Sequence, residues 1–193
     1  MMKLRALVLA SVCAATLSGC VALVAGGAAT GALVASDRRS SGTYVDDQAI
    51  ELKAARQVAD KLPSSHVNLT SYNRTVLLSG EAASDAARAS AEMIARSQPN
   101  VQRVYNYLVV APVSGITERS NDTWLTSKVR ARLLDGKGYP PNAIKVVSER
   151  GVVYMLGLVT RAEGEAAARV ASETSGVQQV VTLYEYIADV AGQ

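Results

Sequence analysis

Few residues in this chain are equipped for chemistry. It has one histidine, His66, and two cysteines, Cys13 and Cys20. Carboxylates pair at Asp46-Asp47 and at Glu163/Glu165. A catalyst needs a nucleophile beside a base, or a metal that activates water. His66 stands at a loop-to-strand junction and reads as a surface or strand-edge residue. Asp46-Asp47 reads as a helix start and Glu163/Glu165 as a solvated helix face. Histidine and cysteine together are too few for a zinc-type site, and no glycine-rich phosphate loop follows a strand. No catalytic residue, metal or cofactor is therefore expected. One constellation remains, the stretch NDTWLTSKVRARLL from Asn121 to Leu134, where the only tryptophan, Trp124, is followed by Lys128, Arg130 and Arg132. Tryptophan favours the headgroup layer of a membrane, and each nearby Lys or Arg adds about 1 kcal/mol on an anionic surface.

The amino terminus bears on that idea. Lys3 and Arg5 precede an apolar run from Ala6 to Leu17, too short to span a bilayer, which reads as a secretory leader covering residues 1–19. The leader ends in Leu17-Ser18-Gly19-Cys20, and this resembles the lipobox of bacterial lipoproteins. The resemblance implies that the Cys20 thiol receives a diacylglycerol, that cleavage follows, and that the new terminus is acylated with a palmitate-type chain. Cys13 leaves with the leader, so no disulfide can form. Two or more acyl chains hold a protein stably on a membrane where one does not. Val21 rather than aspartate after the cysteine points, by the same resemblance, to the outer membrane. Residues 20–45, with the uncharged VALVAGGAATGALVAS run, read as an apolar and flexible tether.

Losing Lys3 and Arg5 leaves 18 basic against 17 acidic residues, a formal charge of +1. Nucleic acid is not expected as a partner. The rest of the chain is a repeat. VNLTSYNRTVLLSG (Val67 to Gly80) aligns without gaps on IKVVSERGVVYMLG (Ile144 to Gly157), VQRVYNYLVV on VQQVVTLYEY, and Asp46-Asp47 on Asn121-Asp122. Each copy predicts helix, strand, strand, helix, strand. In the second, Asn121 or Asp122 caps a helix with Leu125, Val129 and Leu133 inward. A hairpin turns at Ser148-Glu149-Arg150-Gly151. Ala162 to Glu173 is helical, and Val177 to Ile187 closes the sheet. Gly80 and Gly157 end the second strand of each copy, where glycine implies positive φ or a close approach of the following helix. The boundaries that follow are a first domain over 46–112, a linker over 113–119 and a second domain over 120–190.

Two tandem units of this pattern resemble BON domains, and lipobox, tether and paired units together resemble the DolP family of Gram-negative outer-membrane lipoproteins. NDTWLTSKVR and MLGLVTRAE carry most of the likeness. The resemblance implies an α+β architecture of two αββαβ domains, each with two helices on a three-stranded sheet. It implies a non-enzymatic, lipid-anchored protein facing the periplasm, binding anionic phospholipid and supporting outer-membrane integrity near division sites and the barrel-assembly machinery. It places the phospholipid contact on Trp124, Leu125 and Lys128, to which helix geometry adds Arg130 and Arg132. The residues alone leave a second reading open, with Trp124 filling a gap between helix and sheet edge and its cations solvated. A third is an adaptor that docks on an envelope protein complex, using Tyr105/Tyr107 and Tyr184/Tyr186.

Overall fold

The computed structural model describes residues 37–188. The leader, Cys20, the tether as far as Ser36 and residues 189–193 lie outside them. The first domain runs α1 (Ser41–Lys61), β1 (His66–Tyr72), β2 (Thr75–Ala82), α2 (Asp85–Arg96), β3 (Arg103–Asn106) and β4 (Val109–Val110). The second runs α3 (Ile116–Asp135), a 3-10 turn (Pro141–Ala143), β5 (Ile144–Glu149), β6 (Val152–Val159), α4 (Arg161–Ser172) and β7 (Gln179–Tyr186). β2 pairs antiparallel with β1 and parallel with β3 and β4, which are two pieces of one edge strand. Between them Leu108 turns into the core. The second sheet has the order β5-β6-β7, with an unbroken parallel β7.

The helices start earlier than the sequence suggests. Ser40 caps α1 by accepting from the Thr43 amide at 3.1 Å, so the run read as tether up to residue 45 is helical from Ser41. Gly115 caps α3, and the Glu118 carboxylate accepts from its amide at 2.8 Å. The residues expected as linker up to 119 therefore belong partly to α3, and Asp122 caps nothing. Asp122 instead accepts from the amides of Arg150 and Gly151 at 2.8 and 3.0 Å. Its counterpart Asp47 accepts from Asn73 and Arg74, both at 2.8 Å. These are the two turn residues of each hairpin, at φ 51° and 62° in the first domain and 53° and 74° in the second. Such two-residue turns match the twist of the flanking strands but leave amides without ladder partners. A carboxylate from the first helix of each domain supplies the acceptor.

Each helix pair covers one face of its sheet. In the first domain Ile50, Val76, Leu78, Ala82, Ala91, Ala95 and Val104 pack together. In the second, Leu125, Val129, Leu133, Val146, Val153, Met155, Ala167 and Ala171 do so. The opposite faces pack on each other, joining Tyr72 and Leu77 of the first domain to Tyr154, Leu156, Leu158 and Leu183 of the second. Tyr107 and Tyr154 meet ring to ring across this boundary at 5.1 Å. Polar contacts frame it: Tyr72 Oη donates to the Ala143 carbonyl at 3.0 Å, Lys145 Nζ to Glu51 at 2.6 Å, and Asn73 Nδ2 to Glu185 at 2.7 Å.

Gly80 and Gly157 sit two residues inside β2 and β6 rather than at their ends. The close approach there is by the start of the preceding strand, not by the following helix. A Cβ on Gly157 would lie 2.6 Å from the Ala143 carbonyl oxygen, and one on Gly80 would overlap that of His66. Gly80 also has φ +108°, a conformation that side chains rarely adopt. Gly80→Val should unfold the first domain, by strain of roughly 3 kcal/mol or more from φ and overlap together. Gly42→Ala, whose Cβ would meet only the Ser40 hydroxyl at 3.9 Å on α1, should leave stability unchanged or slightly raised. Chemical denaturation of both variants checks this, and a Gly80→Val protein that unfolds like the parent refutes it.

Candidate functional site

α3 carries all five residues expected to meet lipid, and the fold separates them. Trp124 is 67% exposed, which rules out the reading of it as core filler. Leu125 is 6% exposed and belongs to the core with Val129 and Leu133. Trp124, Lys128 and Arg132 recur every four residues and share one flank of the helix. Arg130, six residues from Trp124, is about 240° further round and donates to the Val146 carbonyl on the other flank. Lys128 and Arg132 are not simply solvated either. Lys128 Nζ donates to the Ser175 carbonyl at 2.7 Å and Arg132 Nη1 to that of Glu173 at 2.6 Å. Both carbonyls lie at the C-terminal end of α4, where cations stabilise the exposed carbonyls and the negative end of the helix dipole.

A groove of about 540 Å³ opens beside Trp124, lined also by Glu118, Leu125, Lys128, Arg150 and Gln178. Leu125 forms part of its floor, against Gly176. The groove's carboxylates are engaged, Glu118 by the Gly115 amide and Asp122 by the hairpin turn. The rim thus combines an exposed indole with a lysine that keeps donors beyond its one carbonyl. At the aligned place on α1 stands Ala49, in a stripe with Lys53.

The tyrosines offered for an adaptor surface are largely used inside the molecule. Tyr107 meets Tyr154 with its ring tilted by 58°, Tyr105 packs at the boundary between the sheets, and Tyr184 is in the second core. Burial pushes the Tyr184 hydroxyl far above the usual phenol range. Tyr186 is half-exposed under Arg161, 4.8 Å from the ring centre.

A second cluster was invisible to a count of histidines and cysteines. His66 and Glu81, paired across β1 and β2, meet Glu149 of β5 at the boundary, with one ligand-type atom from each lying within 4.8 Å of the others. Glu81 is fully buried and Glu149 is 4% exposed. Asn68 Nδ2 donates to Glu149 at 2.7 Å, and Ser114 Oγ and Arg150 Nη1 both donate to Glu81 at 3.2 Å. Burial raises the Glu149 carboxyl above the ordinary range, against the Asn68 hydrogen bond, with Glu81 and Asp122 pushing the same way as burial. The sequence signal was the departure of this repeat from itself, since the aligned residues are Ala143, Leu158 and Tyr72.

Against known proteins, the BON domain model matches residues 46–112 and again 121–187. The chain belongs to the BON domain family. Outer membrane lipoprotein DolP of Haemophilus influenzae is 38% identical over 89% of this chain and 90% of its own length. The 21 kDa hemolysin of Actinobacillus pleuropneumoniae is 32% identical over 78% of this chain and 79% of its own. Osmotically-inducible protein Y of Escherichia coli K12 is 30% identical over 78% and 77%. With the likeness to DolP across nine-tenths of both chains, this BON protein is a lipid-anchored outer-membrane lipoprotein. Among the described residues, no helix is long and apolar enough to cross a membrane. The BON match brings no cofactor with it.

The chain leaving the tether is pinned to the second BON domain. Arg38 makes a two-pronged ion pair with Glu163 at 2.7 and 2.8 Å and donates to the Leu158 carbonyl at 2.9 Å. Arg39 pairs with the buried Asp47 at 2.9 Å. The Arg38 hydrogen bond holds the Glu163 carboxyl below the ordinary glutamate range, helped by the Thr160 amide and opposed by burial. A carboxyl whose folded pKa is depressed stabilises fully above its unfolded value, and the contribution disappears as pH falls through the folded one. Glu163→Gln should therefore be less stable than the parent at pH 7, and the gap should close below about pH 4. Urea melts of both proteins across pH 3–7 check this, and a gap independent of pH refutes it.

Proposed function

We propose that this protein is a non-enzymatic membrane reader that binds anionic phospholipid at the Trp124 flank of α3 and so supports outer-membrane integrity. The observation that carries the reading is a solvent-exposed indole at the rim of a groove, beside Lys128, on a lipid-anchored protein. An isolated tryptophan exposed to this extent has no packing role to account for it, whereas at a bilayer both its ring and its N–H are satisfied. The electrostatic part is modest. Lys128 and Arg132 contribute about 1 kcal/mol each at an anionic surface, with part of their hydrogen-bonding capacity already spent on α4. Arg130 is outside the site and Leu125 shapes it from below. A contact this weak becomes effective because the acyl anchor keeps the domain at high local concentration beside the membrane.

The relatives favour binding over catalysis, since the likeness is to BON-domain lipoproteins rather than to enzymes. Partners among the barrel-assembly or division-site proteins are compatible with this role, and Trp124 would serve a protein surface as well as a lipid one. Residues 36–193, without the lipidated cysteine, distinguish the two when titrated with neutral vesicles and with vesicles containing phosphatidylglycerol. A blue shift of Trp124 emission with anionic vesicles alone, weakened by salt, is expected. Trp124→Ala should abolish binding while leaving the melting temperature nearly unchanged. No shift with anionic vesicles would overturn the lipid reading.

A further inference from the structure

We propose that His66, Glu81 and Glu149 form a site for a borderline divalent metal ion of the zinc type, bridging the two BON domains. Two ligands come from the first domain and one from the second, so the ion would tie the domains together.

The chemistry of the set fits. One imidazole nitrogen with two carboxylates is a donor set that zinc accepts, with a fourth position left for water. Metal–donor bonds of about 2.0–2.2 Å place tetrahedral donors roughly 3.3 Å apart. The three donor atoms here already lie within 4.8 Å of one another, which side-chain adjustments alone can close. His66 and Glu149 line a cavity of about 420 Å³ that opens to solvent, giving an ion a way in.

Two further observations point to a ligand. Ser79 lies on the same face of β2 as Glu81 and directly opposite Asn68. Its Oγ is buried with no hydrogen-bond partner among the described residues, which leaves it free to meet a water or an ion on that face. Asn68 itself reaches both Glu149 and, at 3.3 Å, His66 Nε2. The repeat supplies the other observation. At the opposite end of the same boundary, the aligned pair of residues is Tyr72 and Ala143, joined by the Tyr72 hydroxyl, with Leu158 in place of Glu81. At these three aligned positions that end carries no carboxylate, and the carboxylates near it, Glu51, Glu163 and Glu185, are held by Lys145, Arg38 and Asn73. The fold thus does not need two buried acids here, and Arg150 is the one cation that reaches Glu81 among the hydrogen bonds described. Two carboxylates facing one guanidinium leave negative charge that a divalent ion would balance.

The test uses the full-length lipoprotein in detergent, stripped of metal with a chelator and titrated with zinc chloride by calorimetry in millimolar magnesium. One zinc per chain is expected, together with a higher melting temperature by mass action. Removing an outer-sphere partner of a metal site typically costs 10–100-fold in affinity, so removing a direct ligand by His66→Ala should weaken binding at least ~100-fold. His66→Ala should still fold, because alanine is what the other copy carries, and its melting temperature without zinc serves as the check. Glu149→Gln should weaken binding comparably while keeping an acceptor for Asn68. No binding tighter than ~100 µM, or equal affinity and stoichiometry in either variant, would overturn the proposal.

Discussion

The rest of the structure depends on the burial of two sheet faces against each other. An αββαβ unit has two helices, enough to cover one side of three strands, and the other side remains apolar. Here Leu77 and Tyr72 on one sheet meet Tyr154, Leu156, Leu158 and Leu183 on the other. A domain of this size buries too little surface to leave such a face open. Pairing the copies solves the problem inside one chain and turns all four helices outward. The first domain therefore has a definite task, which is to cover the second domain's sheet. The outer flank of α3 points away from that cover, and Trp124 stands exposed on it.

The two copies share what this arrangement requires and differ where it does not. Both keep the aspartate that holds the hairpin turn, Asp47 and Asp122. Both keep a link from the first helix to the strand below, with Glu51 accepting from the Ser71 amide and Thr126 from that of Ser148. Both keep the glycine under which the preceding strand begins. The differences are concentrated at Trp124, aligned with Ala49, and at His66, Glu81 and Glu149, aligned with Ala143, Leu158 and Tyr72. Within one molecule the repeat acts as its own control, separating the demands of folding from those of the two proposed sites.

Much of the fold was legible in the sequence because it rests on local patterns. Apolar residues four apart gave α3, the glycine in the turn gave the second hairpin, and the ungapped alignment of the copies gave the tandem architecture. Helix starts were misplaced because an acidic residue before an apolar stripe matches the preference for helix caps. Ser40 and Gly115 cap instead, and the aspartates serve turns 26 to 29 residues downstream. The proposed lipid site was legible as a helix but not as a surface. Lys128, Arg130 and Arg132 look like one cluster when written in a line, and only helix geometry with its neighbours sends Arg130 to the opposite flank. The His66 cluster was the least legible, since its members are 15 and 68 residues apart in pairs along the chain and meet only through the packing of two sheets.

With Trp124 at the bilayer as proposed, the anchor and the tryptophan would divide the work of membrane attachment. The 18 residues from Val21 to Arg38 can reach at most about 60 Å when fully extended. That upper bound keeps the domains near the bilayer and by itself selects no side to face it. Orientation must come from the domains themselves, and the Arg38–Glu163 clasp starts the process by fixing where the chain leaves the second domain. What remains is a rotational choice, and a weak contact suffices to bias it because the translational cost of reaching the membrane has been met by the acyl chains. On this view Trp124 needs only to make one face of the molecule preferable to the others. A contact worth about 2–3 kcal/mol gives a preference of roughly 30- to 150-fold, enough to hold α3 against the headgroups while allowing release.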